Sequence, residues 1–88
     1  MKTAFKNSFY KSVLKIKNPA IRLDIAETIA KVEAVNDPKE IPQLRKLHGS
    51  GKYYRIKLGE YRIGLKLVKD TMFFVVIAHR KDIYKRFP

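Results

Sequence analysis

Cysteine is absent from this 88-residue chain, histidine occurs twice, and acids are scarce, with 8 Asp and Glu against 20 Lys and Arg. Without cysteine there is no disulfide framework, no thiolate metal ligand and no thiol nucleophile. Two histidines, His48 and His79, and so few carboxylates make a zinc or two-metal hydrolase hard to assemble, so neither metal nor other cofactor is expected. No run reaches the ~18 consecutive apolar residues of a membrane-spanning helix. The first residues, Met1 to Lys6, lack the apolar stretch and small-residue cleavage site of a signal peptide. Together with the missing thiols this predicts a cytoplasmic protein without membrane contact. Repeats, low-complexity tracts and linkers are also missing. The length predicts a single domain over residues 1–88, burying about two-thirds of its unfolded surface. A hydrophobic fraction of 45% excludes a basic disordered tail.

What is present is positive charge, a formal net +12. Self-repulsion on this scale opposes compaction and points to a polyanionic partner, either nucleic acid or an acidic protein. The charge is unevenly placed. Residues 1–44 carry 8 basic and 5 acidic side chains, whereas residues 45–88 carry 12 and 3.

Residues 2–6 suit a short edge strand. From Asn7-Ser8, both able to cap a helix, apolar residues fall at helical spacing on Phe9, Val13 and Ile16. Asn18-Pro19 then reads as an N-cap followed by proline at the first helical position. Behind it Ile21, Ile25, Ile29, Val32 and Val35 form one stripe, and Asn36-Asp37-Pro38 ends the helix. Residues 39–52 read as irregular, anchored by Ile41, Leu44 and Leu47 and closed by Gly49-Ser50-Gly51. After them the period becomes two. Residues 53–58 and 61–67 alternate around a Gly59-Glu60 hairpin turn, and a turn around Lys69-Asp70-Thr71 leads into the apolar run 72–78. The predicted architecture is α+β: a small antiparallel sheet, made of the N-terminal strand and a C-terminal three-strand meander, with two N-terminal helices on one face.

A turn at Gly59-Glu60 pairs Leu58 with Tyr61, Lys57 with Arg62, Ile56 with Ile63, Arg55 with Gly64, Tyr54 with Leu65 and Tyr53 with Lys66. Opposed residues share a face. One face then carries Tyr54, Ile56, Leu58, Tyr61, Ile63, Leu65 and Leu67, fit to cover the helices. The other carries Tyr53, Arg55, Lys57, Arg62, Gly64 and Lys66. Continued parity adds Phe74, Val76 and Ala78 to the core face, and Phe73, Val75, Ile77 and His79 to the basic one, with His79 opposite Arg62 in one register. Lys57 facing Arg62 is a like-charge pair that costs a few tenths to about 1 kcal/mol, which favours an anion site over a plain solvated face. Gly64 marks either a close approach of ligand or a bulge.

Such a face lacks an ordinary carboxylate base. RNA, however, brings its own nucleophile, the 2′-OH. Internal attack needs a proton acceptor, cations to stabilise the phosphorane, and a donor to the leaving oxygen. Arg and Lys supply the cations. A lysine crowded by like charges, His79 or Tyr84 could supply the proton transfers.

The motifs Tyr54-Arg55-Ile56-Lys57-Leu58-Gly59-Glu60-Tyr61-Arg62-Ile63-Gly64 and Ala78-His79-Arg80-Lys81-Asp82-Ile83-Tyr84, with Ile41 to Gly49 before them, resemble the RelE toxins of the RelE/ParE superfamily. The resemblance covers the whole chain. It implies the fold just described, and ribosome-dependent cleavage of mRNA in the A site by metal-free 2′-OH attack, with inhibition of translation. It also implies a cognate acidic antitoxin that holds the toxin inactive in a hetero-oligomer. By the same resemblance Arg55 and Lys57 match the two basic positions of the first meander strand. Lys57 is the better proton carrier, because an arginine rarely deprotonates. Arg62 matches the arginine that stabilises the transition-state phosphate, Arg80 the arginine after the last long strand, and Tyr84 the tyrosine that stacks on or orients the mRNA base. His79 stands where other members carry a basic residue. The expected RNA-binding set is therefore Arg55, Lys57, Lys66, His79 and Lys81. ParE-type relatives share the fold and poison DNA gyrase, which is the alternative reading.

Overall fold

The computed structural model describes residues 1–47 and 51–88; His48, Gly49 and Ser50 lie outside them. Elements follow the order β1 (Lys2–Phe5), α1 (Asn7–Leu14), α2 (Pro19–Ala34), a 3-10 turn (Pro38–Glu40), β2 (Leu44–Lys46), β3 (Tyr53–Leu58), β4 (Tyr61–Val68), β5 (Thr71–His79) and α3 (Ile83–Arg86). The strands form one sheet in the order β1-β5-β4-β3-β2.

The α+β class and the helices on one face are as expected. The sheet itself is mixed rather than antiparallel, because β1 runs parallel to β5, from Lys2 opposite Thr71 to Phe5 opposite Phe74. Lys6 N–H extends that ladder to the Phe74 carbonyl at 2.9 Å, and the Phe5 and Phe74 rings stack 5.1 Å apart. Lys2 Nζ lies 3.3 Å from an Asp70 carboxylate oxygen across the same end, and this bond holds the Asp70 carboxyl below its ordinary pKa. The stretch read as irregular also contributes a strand, since β2 pairs antiparallel with β3.

Helix α2 begins where its cap predicts, with Asn18 Oδ1 accepting from Ala20 N–H at 2.9 Å and proline following. Its stripe buries Ile25 and Val32, with Ile21, Ile29 and Val35 packed beside them. In α1 the cap position falls on Lys6 instead of Asn7 or Ser8. Its serines are used elsewhere. Beyond Phe74, β1 has ended and the edge of β5 is open, and α1 covers that edge. Ser8 Oγ donates to the Val75 carbonyl, and Ser12 Oγ accepts from Ile77 N–H at 3.0 Å while donating to the Phe9 carbonyl at 2.9 Å. An unpaired strand edge invites foreign pairing, and these hydroxyls close it.

The main core lies between the two helices and the sheet, centred on Phe9, Val32, Ile63, Leu65, Met72 and Phe74. A second, smaller core lies on the opposite face, where α3 and Phe87 pack on Val76 and Ala78 with Leu47, Tyr53 and Val75 beside them. Residues 79–88 therefore fold back over the face expected to be open.

Candidate nucleic-acid interface

The β3–β4 hairpin has the predicted register throughout, from Leu58 opposite Tyr61 to Tyr53 opposite Lys66. Its turn takes the left-handed backbone only at Gly59, with φ +59°. Arg55, Lys57, Arg62 and Lys66 thus share one face with Gly64 and Tyr53.

Strand β5 departs from expectation. It pairs with β4 from Val68 opposite Thr71 to Leu65 opposite Phe74, then shifts register between Gly64 and Leu65, so that Gly64 opposes Val76 and Tyr61 opposes His79. The extra residue, Val75, reverses the parity of everything after it. Val76 and Ala78 consequently join the basic face instead of the helix-covered one, and Ile77 moves into the main core. His79 sits opposite Tyr61 rather than Arg62, with its ring edge-on to the Tyr61 ring at 5.9 Å. The bulge also resolves the role of Gly64. A Cβ there would come within 2.6 Å of the Phe87 ring, so the space is filled by the chain's own aromatic.

The like-charge pair of Lys57 and Arg62 is confirmed, and its strain is relieved locally. Arg62 Nη1 donates to the Gly59 carbonyl at 2.7 Å and to the Tyr61 carbonyl at 2.8 Å, curling the guanidinium over the hairpin turn. Arg80 is tied to the same turn. Its Nε lies 2.8 Å from Glu60 Oε2, and its backbone N–H donates to the Glu60 carbonyl at 2.8 Å. The same carboxylate oxygen lies 3.9 Å from His79 Nε2. His79 Nδ1 accepts from Lys81 N–H at 3.2 Å, which leaves the ring proton of a neutral imidazole on Nε2, toward Glu60. The hairpin turn therefore gathers Lys57, Arg62, His79 and Arg80 at one end of the sheet. His79 lies on the helix side and Lys57 and Arg62 lie on the other.

Tyr84 follows the buried Ile83 on α3 and is 57% exposed, so this aromatic is presented to solvent rather than packed. Lys81 is exposed in the turn before α3, and Lys66 lies farther along β4 with its Nζ 5.8 Å from the Tyr53 ring centroid.

Two participants escaped the sequence reading. Arg45 on β2 is opposite Arg55 and extends the cationic face by a strand. Leu44-Arg45-Lys46 carries no period-two alternation, since the charged Lys46 shares the face of Leu44, and three residues are too few to mark a strand. Glu60 was read only as a turn residue, and its contact with Arg80 comes from strands that meet in space. Among the described residues, no cluster of metal-ligating side chains occurs, and no helix is long and apolar enough to cross a membrane.

No protein-family model matches the chain. It is 36% identical to Toxin RelE3 of Methanocaldococcus jannaschii across the full length of both proteins. The toxin in the RelB-RelE antitoxin-toxin complex from Methanococcus jannaschii superposes with a TM-score of 0.78 at 34% identity, covering 96% of this chain and 98% of that one. The archaeal RelE-RelB complex from Pyrococcus horikoshii matches at 0.72 with 20% identity over 90% and 93%, a likeness of fold. The 36% identity to a RelE toxin over the full length of both proteins, with the matching fold, shows that this chain belongs to the RelE toxin family.

Proposed function

We propose that this protein is the toxin of a toxin–antitoxin pair and acts as a ribosome-dependent endoribonuclease that cuts mRNA in the A site. The observation that carries the reading is the convergence of Lys57, Arg62 and Arg80 on one hairpin turn, beside a sheet face that also holds Arg55 and Arg45. The scissile phosphate lies against Arg62 and Arg80, whose guanidinium groups neutralise the charge that grows as the 2′-OH attacks phosphorus. Lys57, directly opposite Arg62, takes the 2′-OH proton, and solvent protonates the departing 5′ oxygen, because His79 lies on the helix side of the sheet, away from Lys57 and Arg62. Tyr84, exposed on α3, stacks on a base and fixes the geometry of attack. The products are a 2′,3′-cyclic phosphate and a free 5′-OH, and no metal takes part.

The same cationic surface suits an acidic antitoxin, in keeping with the complexes in which the relatives are found. Covering it removes the charge needed for RNA while neutralising part of the +12.

The test adds purified protein to ribosomes translating a defined mRNA, with Arg62→Ala and Tyr84→Ala alongside. Cleavage in the A site by the parent, reduced at least about a hundredfold in the arginine variant, is the expected result. Full growth inhibition by either variant at equal expression overturns the nuclease reading, and gyrase-dependent DNA breaks without mRNA cleavage support the ParE-like alternative.

A further inference from the structure

A second cationic surface runs along the edge of β5 that β1 leaves uncovered, starting from Tyr61 and His79 beside the hairpin turn. Three clefts of about 410, 270 and 550 Å³ adjoin one another there, between α1 and α3. Arg86 lines all three, Lys15 lines two, and Lys11 lies between them; at the far end Lys66 belongs to the cationic sheet face. The clefts thus join the sheet face to α1 around the end of the C-terminal helix.

Several features say what chemistry this groove accepts. Lys11 on α1 and Lys15 at its C-cap are four residues apart, on one ridge with a rise of about 6 Å between them. Among the described residues the acid lining these clefts is Asp82, whose carboxylate is already 3.8 Å from Lys85 Nζ. The aliphatic floor offers little to an apolar partner, since Val76, Ile77 and Ala78 are 7%, 2% and 8% exposed. The serine hydroxyls are spent on the edge of β5. What a ligand meets is mainly a row of point charges, with Asn7 and Tyr53 in one cleft and Tyr61 and His79 in another beside it, and such a row suits a phosphate backbone. Clefts of this size admit a single strand.

We infer that this groove is a track for single-stranded RNA, carrying the backbone of the substrate strand beyond the nucleotides held at the Arg62–Arg80 turn. The inference rests on the RNA-cleaving reading but concerns binding, which is measured apart from cleavage. The protein then grips mRNA at two places, one chemical and one purely electrostatic.

The test compares the full chain with a Lys11→Ala/Lys15→Ala/Arg86→Ala variant, after melting curves establish that both are folded. The probes are a 2′-O-methylated trinucleotide and a 2′-O-methylated RNA of about twelve nucleotides, both unable to supply the attacking 2′-OH. The variant is expected to bind the longer RNA at least about tenfold more weakly at low salt, with the slope of log K against log salt reduced by about 2. Its affinity for the trinucleotide stays at the parent value. Equal loss on both probes, or no loss on the longer one, overturns the track. Retained binding of the longer RNA with lost binding to vacant ribosomes or to polyglutamate overturns it in favour of ribosomal RNA or an acidic protein. A parent that fails to cut mRNA while the variant still loses the longer RNA sinks the nuclease reading and leaves the track standing.

Discussion

Arg80 is joined to Glu60 twice, by its side chain at Nε and by its backbone N–H, each at 2.8 Å. The second bond sets where the chain leaves β5, and the first sets where the guanidinium points. A carboxylate so close also opposes part of the positive charge that an incoming phosphate would meet. Glu60 thus both orients Arg80 and competes for it.

Glu60→Gln keeps an oxygen acceptor for Arg80 and removes the competing charge. Binding of a 2′-O-methylated RNA is expected to tighten about two- to fivefold, the scale of one exposed ion pair, with a salt slope steeper by about 0.7. Filter binding over a salt series reads both. An unchanged slope would mean that Arg80 already meets the phosphate at full charge.

Gly64→Ala forces a methyl group to within 2.6 Å of the Phe87 ring and lifts α3 from the sheet. Overpacking of this kind costs about 1–3 kcal/mol, and Tyr84 is displaced with its helix. Pairing it with Phe87→Leu is expected to recover part of the loss, because the smaller side chain yields the space. Thermal melts of the single and double variants measure the coupling. Additive losses would place the strain elsewhere.

Ser12→Ala removes the acceptor for Ile77 N–H and strands that group on the covered edge of β5. A buried unsatisfied donor costs about 1–3 kcal/mol. Urea denaturation should show a lower midpoint with the slope unchanged, and faster exchange of the Ile77 amide. Exchange at the parent rate would mean that another group protects that edge.

Lys69 holds φ +55° in the two-residue turn between β4 and β5, a conformation unfavourable for a lysine. Asparagine tolerates it better. Lys69→Asn is expected to raise the melting temperature by a few degrees, corresponding to roughly 0.5–1 kcal/mol, without altering RNA binding. A lower melting temperature would indicate that Lys69 makes a compensating contact.

Much of this molecule is decided by local rules, and those parts are legible along the chain. Asn18-Pro19 starts α2 because a side-chain oxygen and a preset φ suit the first helical turn. Gly59 sets the hairpin turn, and strict alternation on either side then dictates that Lys57 faces Arg62 and that Arg55, Lys57, Arg62 and Lys66 share a face. The position of His79 was not legible, because parity holds only while pairing is regular. One additional residue at Val75 reverses it, and no local pattern announces that residue.

The sequence alone determined the fold class, the charge, the hairpin register and a cationic sheet face, since each follows from composition or from neighbours within a few residues. Tertiary structure alone decided the parallel placement of β1, the pairing of Arg45 beside Arg55, the Glu60–Arg80 contact and the groove beside Lys11, Lys15 and Arg86. Each of these depends on which elements meet across the sheet, and that follows from packing and edge closure rather than from spacing along the chain.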